Sequence, residues 1–106
     1  MDKAAALKTI DRFRKAIEAR GININKLILY GSYARGDYRE GSDIDLILIS
    51  EDFREHDYWS RIDILSEAIY DVLAPIEVVG FTPEEWDKQK SPLYDYAKHG
   101  EILFAA

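Results

Sequence analysis

The chain has 106 residues, 47% hydrophobic and 32% charged, a balance that excludes a disordered tail and sets the expectation of one folded domain over residues 1–106. Its 14 Lys and Arg against 20 Asp and Glu give a net charge of −6, the wrong sign for extended nucleic-acid binding through a broad basic face. With no cysteine, disulfides, thiolate metal sites and cysteine nucleophiles are excluded, and surplus carboxylates suit a hard divalent cation.

The longest aliphatic or aromatic runs, Leu27–Tyr30 and Leu46–Ile49, are far shorter than the roughly 20 residues that cross a bilayer. No membrane segment is expected. The opening Met1-Asp2-Lys3-Ala4 carries no apolar stretch with a cleavage site, so the expected location is cytoplasmic.

In chain order, Leu7, Ile10, Phe13 and Ile17 recur at three- and four-residue intervals among Lys3, Lys8, Asp11, Arg12 and Lys15, which predicts an amphipathic helix from about Asp2 to Ala19. Arg20-Gly21 stops it. Lys26–Tyr30 reads as a buried strand ending abruptly at Gly31-Ser32, and Tyr33–Gly41 as a polar turn region containing Gly36 and Gly41. Ser42–Ile49 reads as a second strand, acidic at its start and apolar after. Glu51–Asp57 is a charged connection. A second helix follows, with Trp59, Ile62, Leu65, Ile69 and Val72 at helical spacing, Trp59, Ile62 and Leu65 expected in the core, and a stop at Ala74-Pro75.

Ile76–Phe81 predicts a third strand, and Thr82-Pro83-Glu84-Glu85 has the pattern of a capping box opening a short helix. Pro92–Lys98 reads as a last helix ending at His99-Gly100, and Glu101–Phe104 as either a terminal strand or a docked tail. The fold class expected is therefore α/β or α+β, a small mixed sheet flanked by helices.

Alternation along the second strand puts Asp43, Asp45, Ile47 and Ile49 on one face. That face should be solvated near the carboxylates and covered farther along, by a helix or by a second chain in a homodimer. Two carboxylates at spacing two have Cβ atoms roughly 6–7 Å apart, and Glu77 from another strand completes a half-cage for an ion such as Mg²⁺. Two such ions could clamp an in-line phosphoryl displacement. Gly31-Ser32 adds a glycine that permits close backbone approach, a hydroxyl and the amides of a following turn, a suitable seat for a terminal phosphate. Arg35 and Arg39 are nearby cations that could bind phosphate oxygens or pair with Asp37 or Glu40 at the surface. Tyr33 and Tyr38 could stack on a base. His56 and His99 are assigned no role.

Gly31-Ser32, ten residues, then Asp43-Ile44-Asp45 resembles the signature of the DNA polymerase β-like nucleotidyltransferase superfamily. The fuller run Gly31-Ser32-Tyr33-Ala34-Arg35-Gly36 with Gly41-Ser42-Asp43-Ile44-Asp45-Leu46 is similar to its minimal nucleotidyltransferase branch. The resemblance implies a nucleotidyltransferase fold and a nucleotide site at Gly31, Ser32, Arg35 and Ser42. It further implies Mg²⁺, with two ions, at Asp43, Asp45 and Glu77, where members often carry Asp in place of Glu77. Minimal members are commonly antitoxins paired with a HEPN-domain toxin, and some transfer AMP from ATP to a tyrosine hydroxyl of that toxin. The resemblance thus implies an adenylyltransferase acting on a protein. The alternatives are an antitoxin that acts by complex formation alone, and transfer to a small molecule.

Overall fold

A computed structural model describes residues 1–106. Helix α1 (Lys3–Ala19) starts at Asp2, whose carboxylate accepts the Ala5 N–H at 2.8 Å, and it buries Ala6, Thr9, Ile10, Phe13 and Ile17. Leu7, expected in that stripe, is 37% exposed. The inward line runs through Ala6, Ile10, Phe13 and Ile17, and Leu7 lies 100° round the helix from Ala6, beside Leu103 and Phe104.

Strand β1 (Lys26–Tyr30) leads into one helical turn, α2 (Ser32–Arg35), and then, through the loop at residues 36–43, into β2 (Ile44–Ile49). The segment read as a charged connection forms a 3-10 turn over Glu51–Glu55 and buries Phe53 completely. Helix α3 (Tyr58–Val72) is capped by Asp57 and leads through Pro75 into β3 (Ile76–Phe81). Thr82 and Glu85 then form the reciprocal capping box of α4 (Pro83–Asp87), and α5 (Pro92–Ala97) precedes β4 (Glu101–Ala105). The end of the chain is therefore a strand, antiparallel to β1 with a register shift between Leu27 and Ile28.

The sheet order is β3-β2-β1-β4, with β2 antiparallel to β1 and parallel to β3. Alternation divides its apolar residues between two cores. On one face Leu27, Leu29, Ile44, Leu46 and Leu48 pack with Phe13, Ile17, Leu65 and Ala68 of α1 and α3. On the other, Ile28, Ile47 and Ile49 pack with Trp86 of α4 and Ala97 of α5. Ile47 and Ile49 are thus covered by helices of this chain and offer no surface for pairing two copies.

Trp59 departs from the expected core. It is 72% exposed, whereas Leu65 is buried and Ile62 half-buried. At 100° per residue Trp59 lies about 120° from Leu65, and Leu65, Ala68 and Val72 are the residues that face inward. No helix is long and apolar enough to cross a membrane. Truncating Ile47→Ala should cost about 2–5 kcal/mol in urea denaturation, whereas Trp59→Ala should stay within about 0.5 kcal/mol.

Candidate active site

The sheet register builds the site. Tyr30 pairs with Asp45 across the antiparallel β1–β2 ladder, and Asp45 pairs with Glu77 across the parallel β2–β3 ladder. Paired residues project to the same face, so Tyr30, Asp45 and Glu77 form one row beside the row Ile28, Ile47, Val79. The apolar row lies at the α4–α5 core and the polar row lies beyond it. Asp45 is half-buried in the middle of its row, with Glu77 exposed on one side and Tyr30 half-buried on the other.

Asp43 precedes β2 and is exposed, so it stands farther out than Asp45. The sheet thus brings Asp45 and Glu77 together directly, with Asp43 at the entrance. The three carboxylates as they stand do not converge as a ready-made three-ligand metal cluster.

Gly31 fits against this row as no other residue would. Its φ is +75°, in the region that L side chains rarely adopt. A Cβ there would overlap an Asp45 carboxylate oxygen and lie 3.1 Å from its Cγ. Strand β1 therefore turns directly over the carboxylate. The following α2 turn closes through the Arg35 N–H to the Gly31 carbonyl and the Gly36 N–H to the Ser32 carbonyl. Its earlier N–H groups have no acceptor within the turn.

Electrostatically, the site holds more negative charge than the structure neutralises. Burial, then the Glu77 carboxylate, then Asp43 push the Asp45 carboxyl up to about 6, and Arg35 offsets only part of this. Burial together with the Asp45 and Glu77 charges also pushes up the Tyr30 phenol. Tyr30 is the member of the row that sequence reasoning treated only as a strand end. Its position just before Gly31 was the available signal, and it becomes informative only once the β1–β2 register is known.

The remaining residues of the sequence motif lie around this row. Arg35 makes an exposed 3.3 Å pair with Asp37, an arrangement of little energetic weight. The Ser42 hydroxyl accepts the Arg39 N–H at 2.8 Å, and the Ser42 N–H donates to the Arg39 carbonyl, so Ser42 closes the loop that delivers Asp43. Tyr33 and Tyr38 stack on each other at 4.5 Å, and their hydroxyls hydrogen-bond the Met1 carbonyl and the Lys3 N–H. They anchor the N-terminus, and the pair is occupied with itself. His56 lies 2.8 Å from the Ser60 hydroxyl, away from the carboxylates, and His99 is exposed.

Residues 10–99 match the family model of the nucleotidyltransferase domain, which covers most of the chain and every residue of the carboxylate row. The chain belongs to the nucleotidyltransferase domain family. Two proteins of Methanocaldococcus jannaschii, each named "putative protein adenylyltransferase", are 50% identical over 46 residues and 47% identical over 47 residues. Each alignment covers 42% of this chain, and 45% and 48% of the respective relative, so the match spans less than half the length of either.

Among solved structures, a "putative nucleotidyltransferase" from Sulfolobus solfataricus aligns with a TM-score of 0.74 at 20% identity, covering 97% of this chain and 83% of its own. A chain of a toxin–antitoxin crystallised with AMP-PNP aligns with a TM-score of 0.64 at 18% identity, covering 94% and 73%. These two likenesses establish the nucleotidyltransferase fold.

Two expectations follow for the nucleotidyltransferase domain. Gly31→Ala should destabilise it by about 1–3 kcal/mol in chemical denaturation, because the positive φ and the Asp45 overlap act together. Asp45 titrates near 6 in the folded protein against about 3.9 unfolded, so its contribution to stability is present below pH 4 and is lost as pH rises through 6. In EDTA, Asp45→Asn should therefore raise the melting temperature at pH 8 and leave it unchanged relative to the parent at pH 3.5. A pH-independent shift would contradict this origin.

Proposed function

We propose that the protein is a Mg²⁺-dependent nucleotidyltransferase that moves AMP from ATP to a hydroxyl of a partner protein, a HEPN-domain toxin for which it is the antitoxin. The observation that carries this reading is the Asp45–Glu77 row packed beneath the side-chain-free Gly31. Transfer to protein agrees with the names of the two Methanocaldococcus relatives, and a toxin partner agrees with the toxin–antitoxin neighbour.

The donor set fits Mg²⁺, since it consists of carboxylate oxygens, carries uncompensated negative charge and leaves two of its three members exposed and free to adjust. Asp43, Asp45 and Glu77 would hold the metal, which when bound supplies neutralising charge for the triphosphate and acidifies the attacking hydroxyl, with one ion or two. The roles of the chain's own residues follow from their places. Gly31 admits phosphate to the backbone, and Ser32 offers its hydroxyl and the unshared N–H groups of α2. Arg35 exchanges its weak pair with Asp37 for a phosphate oxygen. Ser42 holds the loop that sets Asp43 at the nucleotide.

The acceptor oxygen forms a bond to the α-phosphorus, the α–β phosphoanhydride bond breaks, and pyrophosphate leaves. As the alternative to holding metal, Glu77, exposed beside Asp45, would itself receive the proton that the hydroxyl releases.

The deciding experiment incubates protein, candidate toxin, labelled ATP and Mg²⁺ and reads the mass of the toxin. The parent should add AMP, and Asp43→Asn should lose transfer by at least a hundredfold while keeping its circular dichroism and melting curve. Retained transfer in folded Asp43→Asn would overturn the assignment. Toxin neutralisation that survives without transfer would assign an antitoxin acting by complex formation.

A further inference from the structure

We propose that the open edge of β3 is a docking groove for an extended, basic polypeptide segment, which adds to the sheet as a fifth strand. Taking that segment to belong to the acceptor protein rests on the nucleotidyltransferase reading above; the groove itself does not. Strand β3 lies at the end of the sheet order, so one side of its backbone has no neighbouring strand. The Pro75 and Phe81 carbonyls accept the N–H groups of Ile44 and Ser50, which fixes the parity of the ladder. Residues 77, 79 and 81 therefore turn their main-chain groups toward β2, and residues 76, 78 and 80 turn theirs outward. The Ile76 N–H is used by Ala74 and the Gly80 carbonyl by Arg61, leaving the Ile76 carbonyl, the Val78 N–H and carbonyl and the Gly80 N–H unpaired.

Val78 and Gly80 line a cavity of about 690 Å³ between β3 and the start of α3. Its apolar wall includes Tyr58, Ile62, Leu65, Val79 and Phe81. Tyr58 and Val79 are 62% and 39% exposed, with Trp59 set edge-on to Tyr58 at 5.1 Å. An unpaired strand edge beside an apolar trough is the arrangement by which proteins capture extended peptides, with the backbone giving affinity and alternate side chains giving selectivity. It is also a hazard that a folded protein otherwise covers or blunts with charge.

The charge of the groove selects the occupant. Arg61 is committed to Glu85 at 2.7 Å and to the carbonyls of Phe53 and His56, so it forms a fixed inner wall. Asp57, which caps α3, is the lining carboxylate not paired with a cation, and exposed Glu77 lies outside the lining, one residue along β3 from Val78, on a chain of net charge −6. A second copy would bring the same negative charge, whereas a segment with Lys or Arg around apolar residues is complementary. Glu77 is two residues from Val79, roughly 7 Å along the strand, so a segment paired with β3 passes directly beside the carboxylate row.

Binding can be tested without nucleotide, using a fluorescein-labelled peptide of alternating valine and threonine with two lysines at each end, and its counterpart with glutamates. Fluorescence anisotropy should show at least tenfold tighter binding of the lysine peptide. Val78→Pro removes an outward N–H that β2 does not use, and Tyr58→Ala removes an exposed wall residue. Each should weaken the lysine peptide at least fivefold while keeping Mg-ATP binding as in the parent. Tyr58→Ala should keep the parent melting curve, and Val78→Pro, whose side chain packs on the α1–α3 core, should melt lower but still cooperatively. Equal binding of both peptides, no binding of either, or insensitivity to both variants would overturn the proposal. A concentration-dependent dimer of the parent that Val78→Pro abolishes would also overturn it and assign the edge to a second copy. If the peptide results hold and AMP transfer fails, the groove stands and only the nucleotidyltransferase reading falls.

Discussion

The structure turns on a repulsion that the backbone will not let relax. Asp45 is held by its register with Glu77 on one side and by the turn at Gly31 above it, and neither contact brings a compensating positive charge into contact with it. A carboxylate so placed raises its own proton affinity and weakens the folded state at neutral pH. Such sites are stable only where the surrounding packing dictates the geometry, and here the two cores do so. Leu46 and Leu48 anchor one face of β2 in the α1–α3 core, and Ile47 and Ile49 anchor the other under α4 and α5.

That double anchoring accounts for the division of labour in the sheet. Central β2 carries Asp45 and is buried along nearly its whole length, so its carboxylate cannot be moved without disturbing both layers. Edge strand β3 carries Glu77 and is open on its outer side, so the third carboxylate can adjust. Rigid placement of one acidic group beside an adaptable one suits a site that must accept a charged nucleotide and then an acceptor. The same openness leaves unpaired backbone on β3 beside an apolar trough.

Much of this was legible in the chain. The end of β1 followed from an apolar run stopped by Gly31 and the start of β3 from one that begins after Pro75, and the capping box at Thr82 and the N-terminal helix followed from local rules that need no tertiary partner. The departures share one cause. Leu7 and Trp59 are apolar at helical spacing, yet each sits at the margin of its stripe, and which margin faces inward depends on where the neighbouring helix or strand lies. Phe53 is the converse, an apolar residue in a charged stretch that a 3-10 turn folds into the core beside Gly80. Tyr33 and Tyr38 could have met a base, but their rings meet each other because the N-terminus supplies partners for both hydroxyls.

By itself the sequence determined which residues could carry the chemistry: a glycine that alone tolerates the turn, a serine after it, and acidic residues two apart at the entry to a strand, which was expected to begin at Ser42 and begins at Ile44. Those are properties of local stereochemistry, written in residue type and spacing. Only the tertiary structure decided that Glu77 is the partner of Asp45, that Tyr30 completes the row, and that α4 and α5 cover Ile47 and Ile49. These depend on strand order and register, and separate segments of chain acquire a register only when their side chains pack against common layers.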